Sequence, residues 1–342
     1  MTCKGKYTLE MQKKKVTIQD IAEKANVSKS TVSRVLNNSS LVKESKRDAV
    51  LEAMKTLDFQ PNQLARGLAG GKSLTIGVMT QDIGSPFYDV VAQAVTTALR
   101  DTIYSPIFVD GHWNAEVEAA GIDTLLGRRV DGIIVIGGSI PVSDLKLVQD
   151  VPIVVVAREI PGWDENTIFI NNFRGSYEAT QYLIGRGHKK IAFISGIASH
   201  QDAIRRKEGF RKAMSDAGLD VDEKLCLEGN FHPSSGERAV ETLMERNAEF
   251  TAIFASNDEM AFGARLALYR RGIDVPGQVS IIGFDDQPMS EFMTPPLTTV
   301  RQPAIELGTA ATDKMVRLLQ GETFEKPELE TELIVRESVA DV

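Results

Sequence analysis

Apolar residues recur at helical spacing in the amino-terminal segment 17–36, which reads TIQDIAEKANVSKSTVSRVL. The first helix is predicted by an apolar stripe at positions i, i+3, i+4 and i+7, formed by Ile18, Ile21, Ala22 and Ala25. Thr17 and Ser28 are residue types that cap helix N-termini, and Asn26 tolerates the left-handed conformation that ends a helix sharply. The pattern predicts two short helices joined by a tight turn.

The second predicted helix has one apolar face and one polar face. On a helical wheel, Val32, Val35 and Leu36 form one arc. The opposite arc carries hydrogen-bond donors, namely Lys29, Ser30, Ser33, Arg34 and Asn37. Such a helix suits the major groove of DNA, where its N-terminal residues meet base edges. An ordinary pair of solvated helices has a similar pattern, so the pattern alone leaves both interpretations open.

A third helix is predicted from about Glu44 to Thr56. Its inward-facing residues are expected to be Val50, Leu51, Met54 and Leu57. Three short helices around a few aliphatic side chains give a core of marginal stability.

The distribution of charge favours the DNA interpretation. Residues 1–72 contain 14 Lys+Arg and 7 Asp+Glu, whereas the other 270 residues contain 25 and 40. The formal net charge of −8 therefore combines a basic amino-terminal segment with an acidic remainder. A basic segment attracts phosphate whatever the base sequence, and an acidic body is repelled by the same polyanion.

From position 74 onward, short aliphatic runs alternate with helical patterns. The runs LTIGVMT, DGIIVIGG and PIVVVA come first, and IAFISG, TAIFAS and VSIIGFDD follow after position 173. This βαβα order predicts parallel sheets with helices on both faces. Because the order restarts after Phe173, we expect an α/β body of two doubly wound lobes with a cleft between them.

Polar and aromatic residues follow these strands, at the sheet edge where ligands bind in such folds. The polar residues are Ser85, Arg158, Asn171, Asn172, Arg206, Asn257, Asp258, Asp285 and Asp286. The aromatic residues that can flank the cleft are Phe87, Tyr88, Trp113, Trp163 and Phe231. Their rings can stack on a sugar or a purine, although packing within loops explains Trp113 and Phe231 equally well.

The segment from Val16 to Gly70 resembles the DNA-binding head and hinge of the LacI/GalR family of bacterial transcriptional regulators. The resemblance rests on VTIQDIA, VSKSTVSRVLN, the third helix and F-x-P-N. It continues through RGHKKIAFISG, R-x-x-G-F, SNDEMAFGA, P-x-x-V-S-I-I-G-F-D-D and PPLTTVRQP. It implies a small all-α helix-turn-helix head and a two-lobed α/β core like that of periplasmic sugar-binding proteins.

The expected organisation follows from these patterns. We expect a disordered basic tail over 1–15, the DNA-binding head over 16–61 and a hinge helix or linker over 62–73. The first subdomain of the core is expected to comprise 74–172 and 299–330, and the second 173–298 and 331–338.

Three groups of residues are expected to contact DNA. The base contacts, with Arg34 on a guanine as the main one, are Lys29, Ser30 and Arg34. The phosphate contacts or helix caps are Thr17, Ser28, Thr31 and Ser33. By the resemblance, the hinge residues in the minor groove, with Leu68 inserted between base steps, are Asn62, Ala65 and Leu68.

The expected function is repression by a homodimer bound to a pseudo-palindromic operator in double-stranded DNA and released by a small sugar. The expected sugar-binding residues are Ser85, Phe87, Tyr88, Arg158, Arg206, Phe231, Asn257 and Asp285. The resemblance makes Arg206, Asn257 and Asp285 the main polar contacts. Two alternatives stay open: a corepressor such as a purine stacked by Tyr88 and Phe231, and a solute-binding transport protein.

Composition disfavours several other classes. There is no run of 18 apolar residues and no apolar segment after the basic start, so we expect a cytoplasmic protein associated with the bacterial nucleoid rather than a membrane or secreted one. The chain has only two cysteines and four histidines, none at metal-ligand spacing. P-loop and G-x-S-x-G motifs are absent. We expect no enzymatic activity, no cofactor and no metal.

Overall fold

The computed structural model describes residues 16–36, 42–59, 72–148 and 150–342. The chain divides into two compact units, Met1–Ser73 and Leu74–Val342, which we call the head and the body. The expected tail over 1–15 and the residues Asn37, Asn62, Ala65 and Leu68 lie outside the described residues.

In the described part of the head, three helices pack around a small apolar core. They are α1 (Ile18–Lys24), α2 (Lys29–Leu36) and α3 (Glu44–Thr56), as the periodicity predicts. Their buried side chains include Ile21, Val32, Val35, Val50 and Ala53. The prediction that Leu51 points inward is wrong, since this side chain is 51% exposed. The buried stripe of α3 runs at i, i+3 and i+4 from Val50, and the residue after Val50 falls to one side of it.

Local hydrogen bonds define both helix starts and the turn between them. The Thr17 amide donates to Asp20 Oδ2 at 2.7 Å, and the Asp20 amide donates to Thr17 Oγ1 at 3.4 Å, which completes a capping box. The Thr31 amide donates to Ser28 Oγ at 3.2 Å, so Ser28 caps α2 as predicted. Asn26 takes the predicted left-handed conformation, with φ 51°. The turn is therefore specified by its own residues.

The first half of the body is a five-stranded parallel sheet in the order β2-β1-β3-β4-β5. Its strands are β1 (Thr75–Thr80), β2 (Ser105–Asp110), β3 (Gly132–Ile136), β4 (Ile153–Val156) and β5 (Thr167–Ile168). Its helices are α4 (Pro86–Leu99), α5 (Ala115–Gly127), α6 (Val142–Leu147) and a late helix over Ala304–Gln320. Helix α4 and the late helix share a core with one face of the sheet, and α5 and α6 share a core with the other.

The second half is a six-stranded sheet in the order β11-β10-β9-β8-β6-β7. Its strands are β6 (Ile191–Ser195), β7 (Cys226–Glu228), β8 (Ala252–Ala255), β9 (Ser280–Asp285), β10 (Thr298–Arg301) and β11 (Glu332–Ile334). Its helices are α7 (Asn172–Gly185), α8 (Gln201–Asp216), α9 (Pro233–Glu245) and α10 (Asp258–Arg270). All strand pairs are parallel except that of β10 with the edge strand β11. Among the described residues, short 3₁₀ turns cover Asp164–Asn166 in the first half and Glu223–Leu225 and Pro288–Glu291 in the second.

The chain crosses between the two sheets three times. It passes from β5 to α7, from β10 to α11 (the late helix, Ala304–Gln320), and from α11 back to β11. The expected subdomain boundary at 299 is therefore corrected. Strand β10 pairs with β9, with Arg301 opposite Asp285, so residues up to Arg301 belong to the second sheet. The second crossing lies at Gln302 and Pro303.

Helices α9 and α10 leave no room for a side chain at two glycines. A Cβ on Gly263 would lie 1.8 Å from the carbonyl oxygen of Pro233, and one on Gly236 would lie 2.0 Å from that of Met260. A backbone oxygen cannot move aside without separating the helices. At Gly185, the last residue of α7, a Cβ would meet nothing within 4 Å.

We predict that Gly263→Ala lowers the free energy of unfolding by about 1–3 kcal/mol, as overpacking of a core does. The matched control Gly185→Ala should leave it unchanged or raise it by about 0.5–1 kcal/mol, because alanine is the better helix former. Urea denaturation of the full chain, followed by circular dichroism, measures both values. Equal stability of the two variants would contradict the close packing of α9 on α10.

Candidate functional site

One face of α2 presents polar side chains to solvent. Val32 and Val35 are buried, whereas Lys29, Ser30 and Arg34 are exposed. Among the residues that the structure describes, neither Lys29 nor Arg34 has an ion-pair partner. Both cations are therefore available to a partner of opposite charge.

Hydroxyl groups surround the start of α2. Ser28 Oγ lies 2.8 Å from Ser30 Oγ and 2.9 Å from Thr31 Oγ1, while Ser33 is half-buried one turn further on. Thr17 and Ser28 are exposed as well as being caps. The hydroxyls and the free amides of a helix N-terminus form a surface that suits an anion.

The body contains a cavity of about 290 Å³ where the carboxyl ends of strands from both sheets meet. Seven of the eight predicted ligand-binding residues line it, namely Ser85, Phe87, Tyr88, Arg206, Phe231, Asn257 and Asp285. They come from segments that follow β1, β6, β7 and β8 and from the end of β9. The topology of two parallel sheets thus brings residues 200 positions apart into one wall, as expected for such folds.

Arg158 does not line the cavity, which corrects its assignment as a binding residue. Its guanidinium Nη1 donates to the carbonyl oxygen of Ile140 at 2.9 Å. Burial lowers the pKa of Arg158, against the opposing effects of the Glu118 and Asp202 carboxylates. The residue supports the loop after β3 from behind the cavity wall.

Four other strand-end candidates have structural contacts of their own. Asn171 Oδ1 accepts from the Arg174 amide and caps α7. Asp286 pairs with Arg301 and Arg336, each at 2.7 Å. Trp163 packs against the apolar core of the first sheet. Asp258 is fully buried beneath the cavity wall.

The Arg206 guanidinium is the centre of the cavity's polar network. It is 4% exposed. Its Nε donates to Asn172 Oδ1 at 2.8 Å, and its Nη1 donates to the carbonyl oxygen of Ser256 at 2.5 Å. Nη1 also lies 3.8 Å from Asp285 Oδ1, and the guanidinium lies over the Phe284 ring, 3.8 Å from its centroid. Planar, bidentate donation of this kind is specific to arginine.

Asp202 is a cavity residue that the sequence analysis missed. Its Oδ1 accepts from Asn172 Nδ2 at 3.0 Å, so Asn172 connects Asp202 to Arg206. Burial raises the pKa of Asp202, while Arg206 and Arg158 partly offset that effect. The signal was its spacing: Asp202 precedes Arg206 by four residues in α8, which places both on one helix face.

Two buried carboxyl groups lie at the ends of neighbouring segments. Asp285 Oδ1 accepts from Gln302 Nε2 at 2.6 Å, and burial raises the pKa of Asp285 to about 6 despite Arg206. Asp258 accepts from the Gln287 amide, Ser290 Oγ and Thr299 Oγ1 at 2.9, 2.6 and 2.5 Å. Burial and the charge of Asp285 raise the pKa of Asp258 to about 8, against those three hydrogen bonds. The two carboxyl groups therefore do not readily carry a negative charge at the same time.

Aromatic rings form a continuous row along the cavity. Tyr88 contacts Phe87 and Trp113 edge to face, with centroid distances of 5.2 and 5.3 Å. Trp113, which follows β2 of the first sheet, stacks on His200, which follows β6 of the second, at 4.0 Å. His200 in turn stacks on Phe231 at 5.8 Å. The row joins the two lobes.

The sequence did not identify His200 as a cavity residue, and it left the role of Trp113 undecided. Burial lowers the pKa of His200 to about 4, so the ring in the row is neutral. Phe231 has φ 67°, and a Cβ on Gly196 would lie 1.9 Å from its Cζ. Asn257 Nδ2 donates to the Phe231 carbonyl oxygen at 2.9 Å, and its Oδ1 accepts from the Met260 amide at 3.0 Å. Asn257 therefore positions Phe231 and caps α10.

In the part of the chain that the structure describes, no group of three His, Cys, Asp or Glu residues is arranged to hold a metal ion. No helix among the described residues is both long enough and apolar enough to cross a bilayer.

Two family models match the chain. Residues 17–62 match the family model "Bacterial regulatory proteins, lacI family", and residues 180–339 match "Periplasmic binding protein-like domain". Catabolite control protein A of Priestia megaterium is 36% identical over 313 residues, which are 91% of this chain and 94% of that protein. The chain belongs to the lacI family of bacterial regulatory proteins.

Solved structures of the family are similar over most of the chain. A lac repressor dimer bound to operator and the anti-inducer ONPF has a TM-score of 0.87 at 28% identity, covering 96% of this chain and 100% of that one. The complex of the transcriptional regulator CelR with cellobiose has a TM-score of 0.71 at 31% identity, covering 94% and 99%. The resemblance and the fold inferred from the sequence are confirmed. The chain is a DNA-binding transcriptional regulator.

We predict that the body loses stability relative to an Asp285→Asn variant as the pH rises from about 4 to about 7. The pKa of Asp285 is raised from 3.8 to about 6 in the folded chain. The folded chain therefore binds this proton more tightly than the unfolded chain, and that contribution is lost as the pH passes through the folded pKa. Denaturation of both proteins across this range measures the difference. Parallel pH profiles would contradict the raised pKa.

Proposed function

We propose that the protein is a repressor that binds a pseudo-palindromic operator at the bacterial nucleoid as a homodimer and leaves it when a small sugar binds the cavity. The observation that carries this proposal is the cavity itself, which combines the buried network around Arg206 with the ring row. Two solved structures of relatives support it. One is a complex of CelR with cellobiose, and the other is a lac repressor dimer bound to operator.

The chemistry of the cavity wall suits a sugar. Sugar hydroxyls donate and accept at once, and Arg206, Asp202 and Asp285 offer a donor group and two acceptor groups within one connected network. The rings of Trp113 and Tyr88 offer apolar faces to the C–H side of a sugar ring. A volume of about 290 Å³ is at the lower end of the range for ligand pockets, which favours a small sugar.

The polar face of α2 suits DNA. Lys29, Ser30 and Arg34 are proposed to contact base edges in the major groove. The hydroxyl groups of Thr17, Ser28, Thr31 and Ser33 are proposed to contact phosphates. The proposed minor-groove contacts of Asn62, Ala65 and Leu68 rest on the family resemblance alone. A symmetric pair of heads would read two half-sites of the operator.

Direct contacts link the cavity to the crossings between the lobes. Asn172 begins α7 at the first crossing and accepts from Arg206. Gln302 lies at the second crossing and donates to Asp285. A sugar that binds Arg206 and Asp285 therefore competes with the groups that hold both crossings. That is a physical route by which ligand binding can change the angle between the lobes.

The alternative of a purine corepressor stacked between Tyr88 and Phe231 is not favoured. The rings of Trp113 and His200 lie between those two side chains in the row of contacts. A planar base would have to displace both rings to reach Tyr88 and Phe231 together.

For the DNA contact, we predict that Arg34→Ala weakens binding to the operator by about 1–3 kcal/mol and relaxes the preference at one base pair. The operator can be obtained by selection from random DNA with the full chain. Binding to it and to its single-base variants is then measured at one salt concentration.

The control Lys55→Ala removes one exposed charge from α3. It should weaken binding to all DNA slightly and leave base preference unchanged. If Arg34→Ala also weakens binding to all DNA sequences equally, Arg34 contacts phosphate rather than a base.

For the cavity, we predict that Arg206→Lys raises the sugar concentration needed for half-release from the operator by about tenfold or more. A single ammonium cannot reproduce the donation from Nε and Nη1 to two separate oxygens. The neighbouring Arg205→Lys is the matched control, because Arg205 pairs with Glu159 and Glu208 outside the cavity wall. Circular dichroism checks that both variants fold. Equal release midpoints for the two variants would remove Arg206 from the sugar site.

A further inference from the structure

Carboxylates outnumber fixed cations around the cavity. Asp82, Asp202, Glu259 and Asp285 line it, whereas Arg206 is the only lysine or arginine among the described residues that do so. The neighbouring Arg158 is directed to the Ile140 carbonyl oxygen behind the wall. A ligand in the cavity therefore meets a negative potential.

Arg206 has little capacity left for an anion. Two of its three nitrogens already donate to protein oxygens, those of Asn172 and Ser256. Asp285 lies within ion-pair distance of the same guanidinium. One face of the group is covered by the Phe284 ring. A phosphate or carboxylate on the ligand would have to compete with all of these groups for one charge.

Two of the helix N-termini near the cavity carry their own carboxylates. Helix α8 begins at Gln201 with Asp202 in its first turn, and α10 begins at Asp258 with Glu259 next to it. A helix N-terminus is a common binding site for phosphate because its amides carry partial positive charge. Here side-chain carboxylates of the protein already occupy that favourable electrostatic position. At α8 and α10 the amides that would attract an anion are therefore already offset by carboxylates of the chain, whereas α9, which begins at Pro233 next to the cavity residue His232, has no acidic residue in its first turn.

We infer that the cavity rejects anionic sugars, so that the effector is a sugar without a phosphate or carboxylate group, and that Asp202 is the residue that enforces this choice. The inference rests on the proposed function, namely that the cavity binds a sugar. Asp202 is the carboxylate best placed for the role, because it lines the cavity and its one hydrogen bond to Asn172 uses a single oxygen. Its other oxygen can accept a hydrogen bond from a neutral hydroxyl, and its charge repels an added negative charge.

The pKa values of the buried acids support this inference. Burial raises the pKa of Asp202 and raises that of Asp285 to about 6. The surroundings of both carboxyl groups therefore disfavour negative charge. One more anion adds repulsion in a site with little water to screen it.

The test measures binding of paired sugars to the full chain. The neutral probes are glucose, galactose and cellobiose. The anionic probes are glucose 6-phosphate, galactose 6-phosphate, glucuronate and galacturonate. Tryptophan fluorescence, to which the cavity residue Trp113 contributes, and release from the selected operator are the two readouts. The expected result is that a neutral sugar binds at least about tenfold more tightly than its phosphorylated or oxidised counterpart.

Asp202→Asn then tests the assigned residue. The amide oxygen can still accept from Asn172, but the charge is gone, so the preference for the neutral sugar should shrink about tenfold. Asp216→Asn, at the other end of α8 in contact with Lys212 and Tyr177, is the matched control and should keep the wild-type preference. If Asp202→Asn does not fold by circular dichroism, Asp82→Asn at the same cavity should shrink the preference in the same direction.

The outcomes separate the inference from the proposed function. Binding of a phosphorylated sugar or a uronate as tightly as its neutral partner overturns the inference and leaves a sugar-binding repressor in place. An unchanged preference in the variants removes Asp202 from the role assigned to it. The absence of any response to all seven sugars overturns the sugar effector itself, and the inference with it.

Discussion

The buried guanidinium of Arg206 is the group on which the polar wall of the cavity depends. A charge that is 4% exposed is costly unless its hydrogen bonds are made and its charge is balanced. Asn172, Ser256 and Asp285 meet that requirement from the start of α7, the end of β8 and the end of β9. One side chain thus fixes three segments of the second lobe around the cavity. A sugar that binds there exchanges contacts with the same groups that hold the site together.

The same network gives the proposed ligand site a physical connection to the crossings between the sheets. Asn172 and Gln302 belong to two of the three crossings between the sheets, and each contacts a cavity residue directly. The Trp113–His200 stack adds an apolar contact between the lobes at the cavity wall. A ligand that rearranges these contacts biases the angle between two rigid lobes, since packed sheets move as units rather than deform. The phosphates of DNA attract the basic head and repel the acidic body, so contact with DNA is favoured at the head.

Local rules predicted the head well. The capping box at Thr17, the cap at Ser28 and the left-handed Asn26 depend on neighbours within four residues, so the sequence contains everything that is needed. Parallel pairing is not local, and for that reason the placement of β10 beside β9 escaped prediction. Arg158 was misassigned because a strand-end position does not say whether a side chain points into the cavity or, as here, toward the Ile140 carbonyl oxygen behind it.

The missed cavity residues have a common physical cause. Asp202 reads in the sequence as an ordinary acidic residue in the first turn of a helix, and only the packing of α7 against α8 connects it to Arg206 through Asn172. His200 has no polar partner nearby in the sequence, and its role follows from a ring contact with the other lobe. Contacts that form only after the lobes pack cannot be read from the spacing along one segment.

The measurement that most directly tests the account is the reciprocal coupling between sugar and operator. Dissociation constants are needed for the selected operator with and without saturating sugar, and for the sugar with and without saturating operator. Each ligand is expected to weaken the binding of the other by the same factor, of about 5 to 150. A sugar that binds the free and the operator-bound protein with equal affinity would contradict it.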